Sequence, residues 1–456
     1  MGGYLITGAT LIDGRRQWSG CLRTADEGIA EVTAGPLTVP DAADLAARHG
    51  CELVDGRDRW LIPGGVDPHV HLGLPVGDGV VSQDVEAGTR DALAGGTTTV
   101  IDFVTPGRGE SLASATEARL AELADACCDY ALHASLTAWR DDAAVDLRAA
   151  VERFGLRSLK LYMAYLETIG LEPAALESAM AAAVALDLTV LLHCEDGVEV
   201  SHRQAALLAA GETGPSAHPR SRPPECEVSA VSGALELAAR TGCRTYVVHV
   251  STPEAVALIT AARARGQTVF AETCPQYLLL DESRYAADFP AAARAVMSPP
   301  LRSSRRMAGR REALGRGEFD TVGTDHCAFT DAQKARGRDD FTRIPGGAAG
   351  IRHRLALLHT VGVDGGRLSP CQWVDLVSRR PAEIFGLAPR KGTLNVGADA
   401  DLVLWDPRLT WTIDAAEPSV FASVPVVGGA VRVWARGRQT AVAGATTVEA
   451  GAGRRA

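Results

Sequence analysis

From about residue 60 onward, short apolar, β-prone runs alternate with longer stretches of helical composition. The runs read RWLIPGGVDPHVHL, TTTVIDFV (97–104), YALHASL (130–136), SLKLYMAY (158–165), TVLLHCE (189–195), RTYVVHVS (244–251), TVFAETC (268–274) and DTVGTDHC (320–327). Between them lie Ala-, Leu-, Glu- and Arg-rich segments such as EAVALITAARARG (254–266). The runs are continuously apolar rather than alternating, as strands of a parallel sheet covered on both faces should be. Eight strand–helix units predict a (β/α)8 TIM barrel, with a doubly wound open sheet as the alternative.

The flanks have a different rhythm. Residues 1–58 carry short strand-like pieces and Gly-rich turns, and so does the region after 390, in KGTLNVGADADLVLWDP and AVRVWARGRQTA. The two ends of a chain are often close in space, so these segments predict one small β-sandwich domain. The expected division is 1–58 with 389–440 for that domain and 59–388 for the barrel. The last stretch, 441–456 (VAGATTVEAGAGRRA from 442), has little apolar bulk and predicts a mobile tail.

Composition narrows the partners. The 456 residues are 46% hydrophobic and 22% charged, as in a soluble globular protein. A net charge of −10 without any basic run argues against nucleic acid. No apolar stretch reaches the length of a membrane span, and the start MGGYLITGATLIDGRRQ lacks the pattern of a signal peptide. Ten scattered cysteines form no CxxC pair, which together predicts a cytoplasmic protein with reduced thiols.

Of the 46 basic residues only three, at 160, 334 and 391, are lysines. One of them, Lys160, sits inside the apolar run SLKLYMAY. His69 and His71 stand two apart in an extended segment and so project from one face. His193, His249 and Asp325 fall near the ends of the fifth, sixth and eighth runs. In a barrel all six converge at the C-terminal rim of the strands, where barrel active sites are built. A single strand-end histidine is more often a hydrogen-bonded core residue than a ligand, and His133 in the third run is read that way. The full set, in register with the strand ends, points to a metal site.

Charge counting gives Lys160 a role. Four neutral histidines and one aspartate supply one negative charge, too little for two divalent ions. An ammonium among such cations is repelled, and burial lowers its pKa further. A neutral amine can instead take up carbon dioxide and become a carbamate, an anionic bidentate ligand that bridges two metals. A Schiff-base lysine and a snorkelling lysine are the alternatives, and the first has no need of the histidines.

From roughly residue 55 to 407 the chain resembles the cyclic amidohydrolases, and within them the dihydropyrimidinase/hydantoinase group. The likeness is carried by PGGVDPHVHL, GTRDALAGGTTTVIDF, LKLYMAY, LLHCEDG, YVVHVST, ETCPQYLLLDES, MSPPLR, GTDHCAFTDAQKARGRDDF and EIFGLAPRKGTLNVGADADLVLWDP. The resemblance implies two Zn2+ ions, for which Mn2+ or Co2+ can substitute at nitrogen and oxygen ligands. One would be held by His69, His71, Lys160 and Asp325, the other by Lys160, His193 and His249, with N-carboxylated Lys160 as the bridge. It further implies that Tyr165 polarises the substrate carbonyl, that Ser298 helps hold the cyclic imide or amide, and that Asp325 carries the proton to the leaving ring nitrogen. The reaction so implied opens dihydropyrimidines and hydantoins to N-carbamoyl amino acids. A homotetramer, and next a homodimer, is the expected assembly.

The sequence also departs from the group. RIPGG puts Gly346 where the group has a substrate-contacting asparagine, and GIRHR puts Arg352 where it has glutamate. An expected arginine near Gly233 is missing, and Val76 stands where phenylalanine is frequent. These changes spare the ligands and bear on ring specificity. Dihydroorotase is a rival, but its pattern HxHxR is here HVHLG, with Gly73 in place of the carboxylate-binding arginine. Allantoinase is another. A catalytically inactive, dihydropyrimidinase-related scaffold is the rival of a different class, and retention of all six ligands argues against it.

Overall fold

The computed structural model describes residues 3–107 and 109–456, so the first two residues of the N-terminal segment lie outside the described residues. Eight parallel strands follow one another in chain order around a barrel: Gly65–Asp67, Thr97–Val104, Asp129–Ser135, Ser158–Tyr162, Thr189–His193, Thr245–Val247, Val269–Thr273 and Thr321–Val322. Every residue of the second, fourth and fifth of these is buried, which is why the runs read as continuously apolar. Helices pack between the strands with ordinary start signals. Asp84 caps Val85–Ala94 by accepting from the Ala87 amide at 2.7 Å, and Thr252 caps Pro253–Ala264 ahead of a proline at the first helical position.

The first and last strands are short, and side chains finish the closure between them. Val70 and His326 form a parallel bridge, and the His71 amide donates to the His326 carbonyl at 2.7 Å. Asp67 accepts from the Thr324 amide at 3.1 Å and from its hydroxyl at 2.6 Å. Beneath them the fully buried Arg354 guanidinium donates to the carbonyls of Val66, Val322 and Val377, each at 3.0 Å. An always-charged fork thus satisfies backbone acceptors where the ladder is incomplete. The segments carrying the candidate ligands His69, His71 and Asp325 are fixed relative to one another by this closure.

A second, nine-stranded sheet takes strands from both ends of the chain. The strand Trp60–Pro63 is its junction, pairing in parallel with Tyr4–Ile12 and antiparallel with Leu402–Thr412. This part of RWLIPGGVDPHVHL had been assigned to the first barrel strand. The continuous barrel strand of the run begins only at Gly65, because Pro63 has no amide to donate and Gly64 packs directly on Thr98. The sheet has its own core, with Ile6, Leu11, Leu22, Leu61, Leu402 and Trp434 all buried.

The tail departs from the mobile segment expected for 441–456. Backbone pairing holds it in place of apolar bulk. Tyr130 donates to the Arg454 carbonyl at 3.0 Å and accepts from the Ala456 amide at 2.8 Å, while the Gly453 amide reaches Ala126 at 2.8 Å. Among the described residues no helix is long and apolar enough to cross a membrane.

A buried lysine helps to join barrel and terminal sheet, beside Arg436, which also pairs with Asp129 at 3.1 Å. The Lys391 ammonium lies 2.5 Å from Asp129 at the start of the third barrel strand, 2.8 Å from Asp399 and 2.7 Å from Asp401. Removing one partner from such a cluster leaves buried charges uncompensated. Lys391→Met should therefore cost about 3–5 kcal/mol of stability, read as a lowered midpoint in urea or thermal unfolding. A midpoint equal to that of the parent would show the cluster to be energetically neutral.

Candidate active site

The strand order decides where each candidate side chain lies. His69 and His71 follow the first barrel strand, Lys160 is the centre of the fourth, His193 ends the fifth, His249 lies two residues past the sixth and Asp325 three past the eighth. Tyr165 follows the fourth strand by three residues. All nine residues singled out from the sequence, His69, His71, Lys160, Tyr165, His193, His249, Ser298, Asp325 and Gly346, border one cavity of about 740 Å3. That is the size of a small-molecule pocket.

Two groups of nitrogens face each other inside it. His69 Nε2 and His71 Nε2 are 3.2 Å apart, and each is 3.2 Å from Asp325 Oδ1. His193 Nδ1 is 2.9 Å from His249 Nε2. Burial pushes the pKa of His193 down and those of His69 and His249 far down, so these imidazoles are neutral and can offer lone pairs. Burial opposes ionisation of the Asp325 carboxyl, yet the groups around it, the His71 hydrogen bond and Lys160 among them, outweigh that and hold it below the ordinary aspartate range.

Outer partners bear on which nitrogen carries the proton. Glu272 Oε1 accepts from the His249 amide at 3.0 Å and lies 2.7 Å from His69 Nδ1, which donates to it where Glu272 is ionised. His69 Nε2 is then the lone-pair nitrogen. On the other side Glu195 Oε2 accepts from Arg222 at 2.6 Å and lies 2.9 Å from His193 Nε2. Burial alone would raise the Glu195 pKa, but Arg222 and His193 bring it to about 2, so it is a carboxylate and accepts. His193 Nδ1 therefore faces His249 with its lone pair. The two carboxylates orient imidazole lone pairs inward, the arrangement that metal-ligating histidines use.

Lys160 is 1% exposed, with Nζ 5.3 Å from the Phe103 ring and 5.2 Å from the Tyr162 ring. Burial brings its pKa down to about 8, against the opposing pull of Asp325 and Glu272. A sizeable neutral fraction at physiological pH follows. Across the cavity, burial raises the Tyr165 pKa, so its phenol stays protonated and able to donate. Tyr165, His249 and Asp325 all take positive φ, at 60°, 40° and 51°. Such backbone costs on the order of 1–3 kcal/mol per residue and clusters at functional sites.

The departures separate by position. Gly346 lies on the cavity wall, has no left-handed φ, and a Cβ built there meets nothing within 4 Å. No turn requires glycine at that point. Its neighbour Gly347 is the constrained one, with φ 152° and the Cys327 carbonyl in the way of any side chain. Arg352 is away from the cavity, pairing with Asp91 at 3.0 Å and with the Gly444 carbonyl at 3.1 Å. Gly73 has φ 61°, and Val76 is 40% exposed on the cavity wall. His133 is a buried, hydrogen-bonded core residue, 2.5 Å from the Ser158 hydroxyl and 2.9 Å from the Pro68 carbonyl.

Sequence reasoning missed Glu195, Arg222 and Glu272, although Glu195 and Glu272 lie in stretches it had singled out. The available signal was the cost of burial. A glutamate inside TVFAETC or at the end of TVLLHCE needs a partner or a raised pKa, and burial does push Glu272 up to about 7.

Comparison with known proteins agrees with this geometry. The model of the amidohydrolase family matches residues 60–439. A D-hydantoinase of Geobacillus stearothermophilus is 39% identical over 396 residues, covering 85% of this chain and 84% of that protein. Dihydropyrimidinase 1 of Caenorhabditis briggsae is 40% identical over 371 residues, 80% of this chain and 76% of that protein. The crystal structure of dihydropyrimidinase from Brevibacillus agri superposes with a TM-score of 0.94 at 34% identity, over 99% of this chain and 98% of that one. An L-hydantoinase of Arthrobacter aurescens superposes with a TM-score of 0.87 at 26% identity, over 99% of both chains. By the match to its family model and by these relatives, the chain belongs to the amidohydrolase family.

Proposed function

We propose that this protein hydrolyses cyclic amides and imides, dihydropyrimidines and hydantoins among them, to N-carbamoyl amino acids. In this reading His69, His71, Lys160 and Asp325 hold one divalent cation, and Lys160, His193 and His249 hold the other, with Lys160 N-carboxylated. Zinc is the preferred ion, and manganese or cobalt would be accepted by the same nitrogen and oxygen donors. When bound, a pair of such cations supplies Lewis acidity and brings the pKa of water toward ~7.

One observation carries the reading. A buried amine of lowered pKa shares its cavity with lone-pair nitrogens that other side chains have oriented inward. That donor set fits a cation pair only if more negative charge arrives, since of the two described carboxylates bordering the cavity Asp78 is exposed and paired with Arg343, and Asp325 alone meets the imidazoles. Carboxylation of the neutral Lys160 amine supplies it.

The remaining roles belong to this chain's own residues. Asp325 Oδ1 sits between His69 and His71 and is held as a carboxylate. It takes the proton from the attacking water and passes it to the ring nitrogen as the C–N bond breaks. Tyr165 donates its phenolic proton as a hydrogen bond to the carbonyl oxygen as charge develops there, a contribution of roughly 3–4 kcal/mol for such a donor. Ser298, beside Tyr165, and the backbone at Gly346 orient the ring. The relatives' names, D-hydantoinase and dihydropyrimidinase, support the same substrate class. Assembly as a homotetramer, or failing that a homodimer, belongs to the proposal. Ten free cysteines, eight of them buried, support a cytoplasmic location.

Turnover of dihydrouracil, hydantoin, allantoin and dihydroorotate by the purified protein tests the reading. The first two should be opened to carbamoyl products, and a preference for dihydroorotate would overturn it. Lys160→Met should lower turnover by about 100- to 1,000-fold and reduce bound metal, with short-chain carboxylic acids restoring part of the activity. Full turnover without such acids would exclude a bridging carbamate. At the cavity wall, Gly346→Asn should leave unfolding within about 0.5 kcal/mol of the parent. The added amide should change the ratio of kcat/KM for dihydrouracil and hydantoin by up to about tenfold, the worth of one hydrogen bond. An unchanged ratio would mean that the substrate does not reach this wall.

A further inference from the structure

We infer that Arg222 is a positioning residue that keeps two parts of the site in register: Tyr165, which lies under its guanidinium, and His193, which it holds through Glu195. The inference rests on the hydrolytic reading above. Arg222 is 4% exposed and lies on the wall of the active-site cavity. Its Nη1 donates to Glu195 Oε2 at 2.6 Å, and the same oxygen accepts from His193 Nε2 at 2.9 Å. The guanidinium carbon is 5.2 Å from the Tyr165 ring centre, and that ring is 5.3 Å from the His193 ring. One cation therefore touches the donor to the substrate carbonyl and the carboxylate that orients a metal-facing imidazole.

The cation is itself well anchored. Pro223 follows it, which restricts the Arg222 backbone, and φ is −130° with ψ 59°. Its carbonyl accepts from Arg302, a buried guanidinium that donates to Ser251 Oγ at 2.9 Å and lies 3.5 Å from Glu227. Glu227 in turn accepts from the Ser251 amide and hydroxyl, both at 2.6 Å. The chain of contacts runs from the helix Pro224–Thr241 through Arg302 and Arg222 to Glu195 and His193. Lysine could keep the charge at 222, but it has no planar group to lie over Tyr165 while meeting Glu195.

Glu195 and Arg222 neutralise one another, so removing one alone would leave a buried charge. The test therefore uses Arg222→Lys and the charge-balanced double variant Arg222→Met with Glu195→Gln. Full-length protein is stripped with a chelator and titrated calorimetrically with Zn2+, and dihydrouracil hydrolysis is then measured. In both variants the first equivalent of Zn2+ should bind as in the parent, while the second binds about 10- to 100-fold more weakly. The value of kcat should fall by a similar factor with KM within about twofold of the parent, and Arg222→Lys should lose less than the double variant. Arg222→Lys, which retains the cation, suffices on its own if the double variant fails to fold. Parental affinity for both equivalents with parental kcat would overturn the inference, and so would a loss confined to KM. A parent protein that takes up fewer than two equivalents and leaves dihydrouracil intact would instead overturn the hydrolytic reading on which the inference stands.

Discussion

Burying ionisable groups is the constraint on which this site depends. Four imidazoles, an amine and several carboxylates lie buried or nearly so in and just past the strands of a barrel. Each must be neutral, paired or both, because an isolated buried charge costs several kcal/mol. The resulting pattern is specific. The imidazoles of His69, His193 and His249 are held neutral, Lys160 is brought to about 8, and Glu195 is kept ionised by Arg222 and His193. The same desolvation that makes the site expensive leaves lone pairs on atoms that face one another. Positive φ at Tyr165, His249 and Asp325 adds a backbone cost that the surrounding barrel sustains.

The three lysines show how sparingly this chain uses an amine. Each is at most 2% exposed. Lys391 ties the third barrel strand to the terminal sheet through three carboxylates. Lys334 donates to the carbonyls of Val296, Pro345 and Gly347, at 3.2, 2.9 and 3.0 Å, and so fixes the loop that carries Gly346 on the cavity wall. Three rotatable donors on a compact head suit convergent acceptors better than a planar fork does. Lys160 has no comparable cage of acceptors, and its surroundings are aromatic. Among three buried lysines, two are explained by their partners, and for the third the explanation is the carboxylation proposed above.

Legibility in the sequence followed periodicity. The barrel strands could be read because burial on both faces makes them continuously apolar, and the candidate ligands could be read because they interrupt those runs, most at the ends and Lys160 in the middle. His69, His71, Lys160, His193, His249 and Asp325 needed no knowledge of long-range contacts beyond strand order. Glu195, Glu272 and Arg222 did need it, since Glu272 earns its role only by meeting a histidine 203 residues away. The junction at Trp60–Pro63 was hidden because a strand of the terminal sheet and one of the barrel run together with only Gly64 between them. The tail was misread for another reason. Hydropathy reports apolar burial, whereas residues 453–456 are held by amides and carbonyls that every sequence possesses.

Position, rather than residue type, decides which departures bear on specificity. Arg352 reverses a charge relative to the pattern of the group, yet its guanidinium reaches Asp91 and the Gly444 carbonyl outside the cavity. Arg354, two residues on, closes the barrel and has no substrate-facing part. Gly346 changes no charge at all, but it removes a side chain from the cavity wall at a point where the backbone would tolerate one. Because Lys334 holds the carbonyls on both sides of it, that wall cannot collapse inward to recover the lost volume. The space stays open, so under the proposed function ring selection would rest on shape and on the backbone at 346, away from the groups proposed to break the bond.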